Sequence, residues 1–227
     1  PVITSNGGGA TAAASVAEDQ TGVTTVTSSD VDGGTPIYSI IGGADAALFT
    51  IDSATGVLTF NSAPDFEAPS DNGGNNVYDV TVQVDDGNGG TDTQAIAVSV
   101  TNVNEAPIIT SNGGGVTAAV SAAENQIAVT TVTSTDVDGG SAVYSIAGGA
   151  DAALFTINAS SGALQFVSGR NYEAPGDAGA DNIYDVPVQA DDGAGGADTQ
   201  AISVTVTPVN DNAPVFTSNG GAATASV

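Results

Sequence analysis

Acidic residues come in small groups along this chain: Glu18-Asp19, Asp30-Val31-Asp32, Asp65-Phe66-Glu67, Asp85-Asp86, and then Asn102-Val103-Asn104-Glu105. Carboxylate and amide oxygens unaccompanied by nitrogen or sulfur donors are what calcium takes, about six to eight of them at roughly 2.3 to 2.6 Å. Magnesium fits less well, because it favours sites that keep several waters. The sequence has no histidine and no cysteine, which excludes imidazole bases, thiolate nucleophiles and zinc sites built from those ligands. Two carboxylates could still run glycoside hydrolysis. That chemistry needs a cleft and sugar-stacking aromatics, however, and the Phe and Tyr residues fall largely at strand positions. The chain is therefore not read as an enzyme. Nor does a continuous calcium loop fit: an EF-hand begun at Asp30 would need Asp or Asn at Gly34 and Glu at Ile41, and Gly87-Asn88-Gly89-Gly90-Thr91-Asp92 lacks the spacing of a nonapeptide calcium roll. Any metal has to be collected from several loops.

Charge points the same way. Asp and Glu number 26 against a single basic residue, Arg170, for a formal net charge of −25. The usual phosphate-neutralising contacts to nucleic acid are excluded, and an anionic membrane would repel such a surface. A hydrophobic fraction of 41%, set in alternating runs, argues for a folded chain despite the charge. So much negative charge calls for a partner, and a cation is the simplest one. No apolar run reaches the roughly 18 residues of a membrane span, so no membrane insertion is expected in this segment. No secretion signal is visible.

The elements that must position these acids are short strands written twice. PVITSNGGG at Pro1 returns as PIITSNGGG at Pro107, a spacing of 106, and the same spacing joins Glu18 to Glu124, Asp30 to Asp136, Tyr38 to Tyr144, Phe49 to Phe155, Glu67 to Glu173 and Asp86 to Asp192. A constant offset along a whole unit is the mark of a tandem array. The expected organisation is one repeat over 1–106, a second over 107–213, and over 214–227 the first strand of a third that breaks off, as in a piece of a longer array. Each repeat of about 100 residues can bury a core without disulfides.

Runs rich in Val, Ile, Thr and Tyr, separated by Gly, Asn, Asp and Pro, predict an all-β fold with no long helix. In the first repeat strands are expected at 2–5, 12–17, 23–28, 37–41, 48–51, 57–60, 76–84 and 94–103. Asn6-Gly7-Gly8-Gly9 interrupts the first strand where glycines permit a change of sheet. Asp86-Gly87-Asn88-Gly89-Gly90 reads as a hairpin turn, and Tyr78, Val80, Val82 and Val84 alternate onto one face. Seven or so short strands per repeat predict tandem immunoglobulin-like Greek-key β-sandwiches. Tyr38, Phe49, Tyr144 and Phe155 are read as core. Asp45, Asp52, Asp71, Asp79, Asp92 and their counterparts are read as turn residues or solvated surface. The Asn158-Ala159-Ser160 sequon is read as chance, since its counterpart begins with Asp52.

Several of these motifs together resemble cadherin repeats, in the form such repeats take in large bacterial surface and secreted proteins. Val16-Ala17-Glu18-Asp19 and Ala123-Glu124-Asn125 resemble the family's glutamate after the first strand. Asp30-Val31-Asp32 and Asp136-Val137-Asp138 resemble its Asp-x-Asp motif, Asp65-Phe66-Glu67 and Asn171-Tyr172-Glu173 its acidic turn, and Val188-Gln189-Ala190-Asp191-Asp192-Gly193 the run ending in a ligand aspartate. Pro208-Val209-Asn210-Asp211-Asn212-Ala213-Pro214 resembles its linker. The resemblance implies Ca2+ bound between consecutive repeats. It implies one full ligand set drawn from Glu18, Asp65 and Glu67, from Asn102, Asn104 and Glu105 in the joint, and from Asp136, Asp138 and Asp192. Asp30, Asp32 and Asp86 would face a preceding repeat, and Glu124, Glu173, Asn210, Asp211 and Asn212 a following one. The pattern departs from the family where the first joint is one residue short, where Asn102 and Pro208 stand in place of an aspartate, where Asn171 replaces another, and where Gly33-Gly34-Thr35 shortens a loop. These departures could reduce three ions per joint to two or one.

The functional expectation is a secreted or cell-surface structural repeat, stiffened by calcium into a rod, filament shaft or adhesin spacer. Its partners would be neighbouring repeats or identical subunits in a fibre, one route being addition of the 214–227 strand to a sheet edge. The alternative is a ligand-binding adhesion module, either homophilic or carbohydrate-binding.

Overall fold

The computed structural model describes residues 1–213, and the expected strand of 214–227 lies outside the described residues. The chain divides into two compact units, Pro1–Val103 and Asn104 onward. Each is all-β.

In the first unit the strands are β1 (Val2–Ile3), β2 (Thr11–Ala17), β3 (Gly22–Thr25), β4 (Ser28–Ser29), β5 (Ile37–Gly42), β6 (Phe49–Ile51), β7 (Val57–Phe60), β8 (Val77–Asp85) and β9 (Thr91–Thr101). They form a four-stranded sheet in the order β2-β9-β8-β5, a three-stranded sheet β3-β7-β6 and a short pair β1-β4. β2 runs parallel to β9, from Thr11 opposite Ala95 to Ala17 opposite Thr101, and the other pairings are antiparallel. The second unit repeats the plan with β10 (Ile108–Ile109), β11 (Thr117–Ala123), β12 (Ala128–Thr131), β13 (Ser134–Thr135), β14 (Val143–Ile146), β15 (Phe155–Ile157), β16 (Ala163–Phe166), β17 (Ile183–Asp191) and β18 (Ala197–Thr207). Its sheets are ordered β11-β18-β17-β14, β12-β16-β15 and β10-β13.

The ends shift in β1, which stops at Ile3 before a 3₁₀ turn at Ser5–Gly7, and in β9, which runs Thr91–Thr101 against the expected 94–103. Two further details differ from the expected strands. The run 23–28 is two strands, because the chain leaves one sheet at Thr25 and pairs with β1 from Ser28. Leu48 closes a single 3₁₀ turn, Ala46–Leu48, instead of opening β6. The glycine-rich interruption does move the chain between sheets. Asn6 and Gly8 take left-handed φ angles of 52° and 68°, and the fully buried Gln94 donates to the carbonyls of Ser5 and Gly9 while accepting from the Asn6 amide.

Alternation builds the core. Tyr78, Val80, Val82 and Val84 of β8 all face inward and are buried, against Ile96, Val98 and Val100 of β9 and Leu58 and Phe60 of β7. Phe49 stacks on Phe60 at 4.5 Å and Tyr78 meets Phe60 edge-on at 5.1 Å. The second unit repeats this with Phe155 on Phe166 at 4.7 Å and Tyr184 edge-on to Phe166 at 5.2 Å. Each such pair contributes about 0.5–1.5 kcal/mol beyond its buried area. Tyr38, Phe49 and Phe155 are buried, and Tyr144 packs half-buried against the second core.

The reading of all non-motif aspartates as turn residues or solvated surface is corrected in part. Asp45, Asp71, Asp151 and Asp177 are buried. Asp45 accepts from the backbone N–H of Asn72 at 2.6 Å and of Asp79 at 2.8 Å. Asp71 accepts from the N–H groups of Gly73, Asn75 and Asn76. Four buried carboxylates thus act as internal acceptors for a loop that has no ladder of its own, which meets the requirement that buried polar groups find partners. Asp52 behaves as read, capping its turn through Ala54 and Thr55, as Asn158 does through Ser160 and Ser161.

Candidate metal centres

In each unit one glutamate just past the end of the second strand turns into the protein. Glu18 follows β2, is 3% exposed, and uses both carboxylate oxygens: Oε2 accepts from Phe66 N–H and Oε1 from Val103 N–H, each at 2.7 Å. One side chain therefore ties together the end of β2, the 65–67 turn and the chain leaving β9. Glu67, on that turn, accepts from the Asn102 amide at 2.8 Å, and it offers an oxygen within 4.8 Å of one on Glu18. Asp65 lies exposed and caps Ala68 N–H at 2.9 Å.

The same construction recurs in the second unit. Glu124, 1% exposed, accepts from Tyr172 N–H at 2.9 Å and from Val209 N–H at 2.6 Å. Those donors hold its carboxyl below the ordinary glutamate range, the Val209 N–H most of all, against the opposing effect of burial. Glu124, Glu173 and Asp211 each present a carboxylate oxygen, all within 4.8 Å of one another. Asn125, at a left-handed φ of 63°, donates its amide to Asp211 at 2.6 Å. Asn210 and Asn212 lie exposed beside it, and Asn171 accepts from Glu173 N–H at 2.8 Å.

At the start of the second unit Asn104, Glu105, Asp138 and Asp192 come together. Asp138 accepts from Glu105 N–H at 2.7 Å, and Asn104 donates its amide to Asp192 at 2.8 Å. Asp136 accepts from Asp138 N–H at 3.1 Å. The Asn104 amide first, and then the Ala194, Gly196 and Gly195 N–H groups, hold the Asp192 carboxyl below its usual range despite partial burial. The corresponding acids of the first unit, Asp30 and Asp86, line one cavity with Gly33, Gly34 and Pro36. Asp30 accepts from Asp32 N–H at 2.9 Å, and Asp32 itself is exposed.

The donor set suits a hard cation. Every group is a carboxylate or an amide oxygen, and the one basic side chain, Arg170, is turned away to Ser168 and over the ring of Phe166 at 5.4 Å. Three carboxylates held within 4.8 Å with no cation of the protein's own among them repel one another. Sequence reasoning did not single out Asn125, whose role shows only in its left-handed backbone, nor the buried aspartates that hold the acidic loops.

Comparison with known proteins accords with this geometry. Residues 12–103 match the cadherin domain family. The chain superposes on human CDH23 EC21-23 with a TM-score of 0.59, at 19% identity, over 95% of this chain and 72% of that one. It superposes on human protocadherin-24 EC1-2 with a TM-score of 0.57, at 21% identity, over 91% and 97%. The fold is cadherin-like. Protocadherin Fat 1 of Homo sapiens is 31% identical over 188 residues, 79% of this chain, and the chain spans about 4% of that relative's length. The cadherin domain is an extracellular structural and adhesion module, not an enzyme, and typically binds Ca2+. Among the described residues no helix is long and apolar enough to cross a membrane.

Proposed function

We propose that this chain is a calcium-stiffened segment of a tandem array, serving as a spacer or shaft in a surface adhesin or secreted filament of the kind found in large bacterial proteins. The observation that carries this reading is the Glu124–Glu173–Asp211 group, three carboxylates converging within 4.8 Å at the end of a unit whose chain bears a net charge of −25. Glu124, Glu173, Asp211 and an amide or carbonyl oxygen of Asn210 or Asn212 would hold the ion there. At the joint the ligands would be Glu18, Asp65, Glu67, Asn102, Asn104, Glu105, Asp136, Asp138 and Asp192, and Asp30, Asp32 and Asp86 would receive an ion from a preceding repeat. Calcium supplies the positive charge that lets these groups converge. Without it their repulsion leaves the joint free to bend; with it, binding free energy is realised only when ligands from successive repeats meet.

The aromatic pattern supports a structural role over glycan recognition. Tyr172 is the one aromatic among the exposed large hydrophobic side chains of the described residues, while the remaining rings build the two cores. Fibre growth through 214–227 would extend the same reading.

The test is small-angle scattering and calorimetry on this chain with calcium and with chelator. Calcium at a hundred times its dissociation constant should stabilise the folded state by roughly 2.7 kcal/mol per site and narrow the distribution of particle lengths. Identical scattering and identical melting in the two conditions would overturn the reading.

A further inference from the structure

We propose that Asn88, on the turn between β8 and β9, is a site of spontaneous conversion to aspartate and isoaspartate, and that the fold directs this reaction to Asn88 while shielding the other Asn-Gly pairs of the described residues. Four such pairs lie within that range: Asn6-Gly7, Asn72-Gly73, Asn88-Gly89 and Asn112-Gly113; Asn219-Gly220 lies outside it. In the reaction the backbone nitrogen of the glycine loses its proton and attacks the asparagine side-chain carbonyl carbon. The bond to the amide nitrogen breaks, ammonia leaves, and a five-membered succinimide forms. Water then adds to one of the two imide carbonyls and opens the ring to aspartate or to isoaspartate. Nothing is oxidised or reduced, and water is the sole co-reactant.

The attacking nitrogen must be unengaged and the side chain must be able to swing onto it. Among the four, Asn88 alone meets both conditions. Gly89 N–H donates to no acceptor among the described residues, both residues are exposed, and a Cβ on Gly89 would meet nothing within 4 Å. The Asn88 amide has one long bond, 3.3 Å to the Asp86 carbonyl. At Asn72 the attacking group is taken: Gly73 N–H donates to the buried Asp71 at 2.9 Å, and Asn72 N–H is held by Asp45 at 2.6 Å. At Asn6 the side chain is taken, its Oδ1 accepting from Thr24 at 3.0 Å and its Nδ2 donating to the buried Gln94 at 3.2 Å. Asn112 is held in the same way by Thr130 and Gln200.

At the positions matching Asn88 and Asn72 the second unit has no asparagine, with Ala194-Gly195 at this turn and Ala178-Gly179 at the other loop. The product changes the local cradle, since Asp86 Oδ1 accepts from both Asn88 N–H at 2.7 Å and Gly90 N–H at 3.0 Å. Isoaspartate inserts a backbone methylene between those donors and adds a negative charge beside Asp85 and Asp86.

Peptide mapping by mass spectrometry, with isoaspartate detection, during incubation of this chain in mildly alkaline buffer tests the inference, alongside a parallel sample in concentrated urea. In the folded protein Asn88 should convert roughly tenfold or more faster than Asn6 and Asn112, whose amides must first give up two hydrogen bonds. In urea the four rates should converge, and Asn88→Ala should remove the dominant product from the folded sample. Equal rates at the four pairs in the folded protein, or faster conversion at any of the other three, would overturn it.

Discussion

The two units keep the same acceptors and change many of the donors. Glu18 and Glu124 both take an N–H from the acidic turn, though the donor is Phe66 in one unit and Tyr172 in the other. Tyr78 and Tyr184 each accept at the phenol oxygen from a loop N–H at 3.1 Å, supplied by Ser70 and by Gly176. Asp45 and Asp151 hold the N–H groups of Asn72 and Ala178. Asp71 and Asp177 hold those of Asn75 and Asp181. The donor in every case is the backbone, which any residue but proline provides, so the loop sequence can drift while the acceptor cannot. This is why the loops differ between repeats although the fold does not, and it locates the fragile positions on the acceptor side.

Positions where backbone meets backbone should be the most fragile of all, and they should be so in both units. Gly56 and Gly162 sit at φ 72° and 66°, and a Cβ there would stand 2.1 Å from Val26 O and 2.0 Å from Val132 O. Neither carbonyl can easily retreat, since the N–H of the same buried valine is bonded back to the glycine carbonyl, at 2.8 Å in the first unit and 2.9 Å in the second. Gly56→Ala and Gly162→Ala should each destabilise their own unit by about 3 kcal/mol or more, combining left-handed strain with the clash. Calorimetry should show the altered unit melting first, with the other transition in place. A uniform shift of both transitions would mean that the units do not fold independently.

The acid cluster at the end of the second unit comes next. Glu124→Gln keeps the acceptors for Tyr172 and Val209 in part but removes a charge from the cluster with Glu173 and Asp211. It should weaken calcium binding by roughly tenfold or more, measured by titration calorimetry, and also lower the melting temperature of the chelated protein, because the amide nitrogen sets a donor against one of the two buried backbone N–H groups. Glu173→Gln, exposed and without the clamp on the two backbone groups, should weaken binding with much less effect on the apo protein. Equal losses of apo stability in both variants would assign Glu124 and Glu173 the same purely structural role.

The buried aspartates predict a dependence on pH. Burial works against the charged form of Asp71 and Asp177, yet the N–H donors of Asn75 and Asn76, and of Asp181 and Asn182, outweigh it, so both carboxyls titrate below their ordinary range. A carboxyl whose folded pKa is depressed contributes stability that is complete above its unfolded value, near about 3.9, and is lost as pH falls through the folded value. Melting temperature should therefore be level near neutrality and fall in acid. Asp71→Asn and Asp177→Asn should lower it at neutral pH by less than the glycine changes, and the gap from the parent should close as the solution is acidified. A gap that stays constant below about pH 3 would show that the carboxylate charge is not what holds the loop.

The legibility of these features in the sequence follows from their range. The period of two in Tyr78-Asp79-Val80-Thr81-Val82-Gln83-Val84 records burial residue by residue, so the inward face of β8 could be read directly. The acids of the candidate centres could be named because the motifs that carry them resemble those of cadherin repeats; recurrence alone does not mark them, since Asp45 and Asp71 return at the same spacing as Asp151 and Asp177. Asp45 could not be assigned, because an aspartate before a turn looks alike whether it faces solvent or accepts N–H groups from residues 27 and 34 positions away. Asp71 hides for a different reason: its donors are local, as in any turn, and only the packing of the loop against the sheet makes the carboxylate a buried one. Asn125 was equally silent, since its function depends on a left-handed backbone that leaves no periodic trace.

One strand differs in a way that tests the rule about donors from the other side. In the first unit β5 reaches Gly42, which pairs with Thr81 after an irregularity at Ile41, whereas β14 ends at Ile146. The residue facing the missing extension is Pro187, which has no N–H to give. Its position in a central strand is tolerated because the neighbouring strand stops there, and Ala147 N–H still donates to the Pro187 carbonyl at 2.9 Å. Pro187→Thr restores the donor and should lengthen β14 by about two residues, to match β5. Hydrogen exchange should then report a protected N–H at position 187, with stability changing by less than about 1 kcal/mol. The reverse change, Thr81→Pro, should shorten β5 to the limits of β14 at a somewhat larger cost. If β14 keeps its length in Pro187→Thr, the difference lies in the chain that follows the strand and not in the donor: Ile41-Gly42-Gly43 of the first unit then owes its extra pairing to glycine freedom at Gly42, where the second unit has Ala147-Gly148-Gly149.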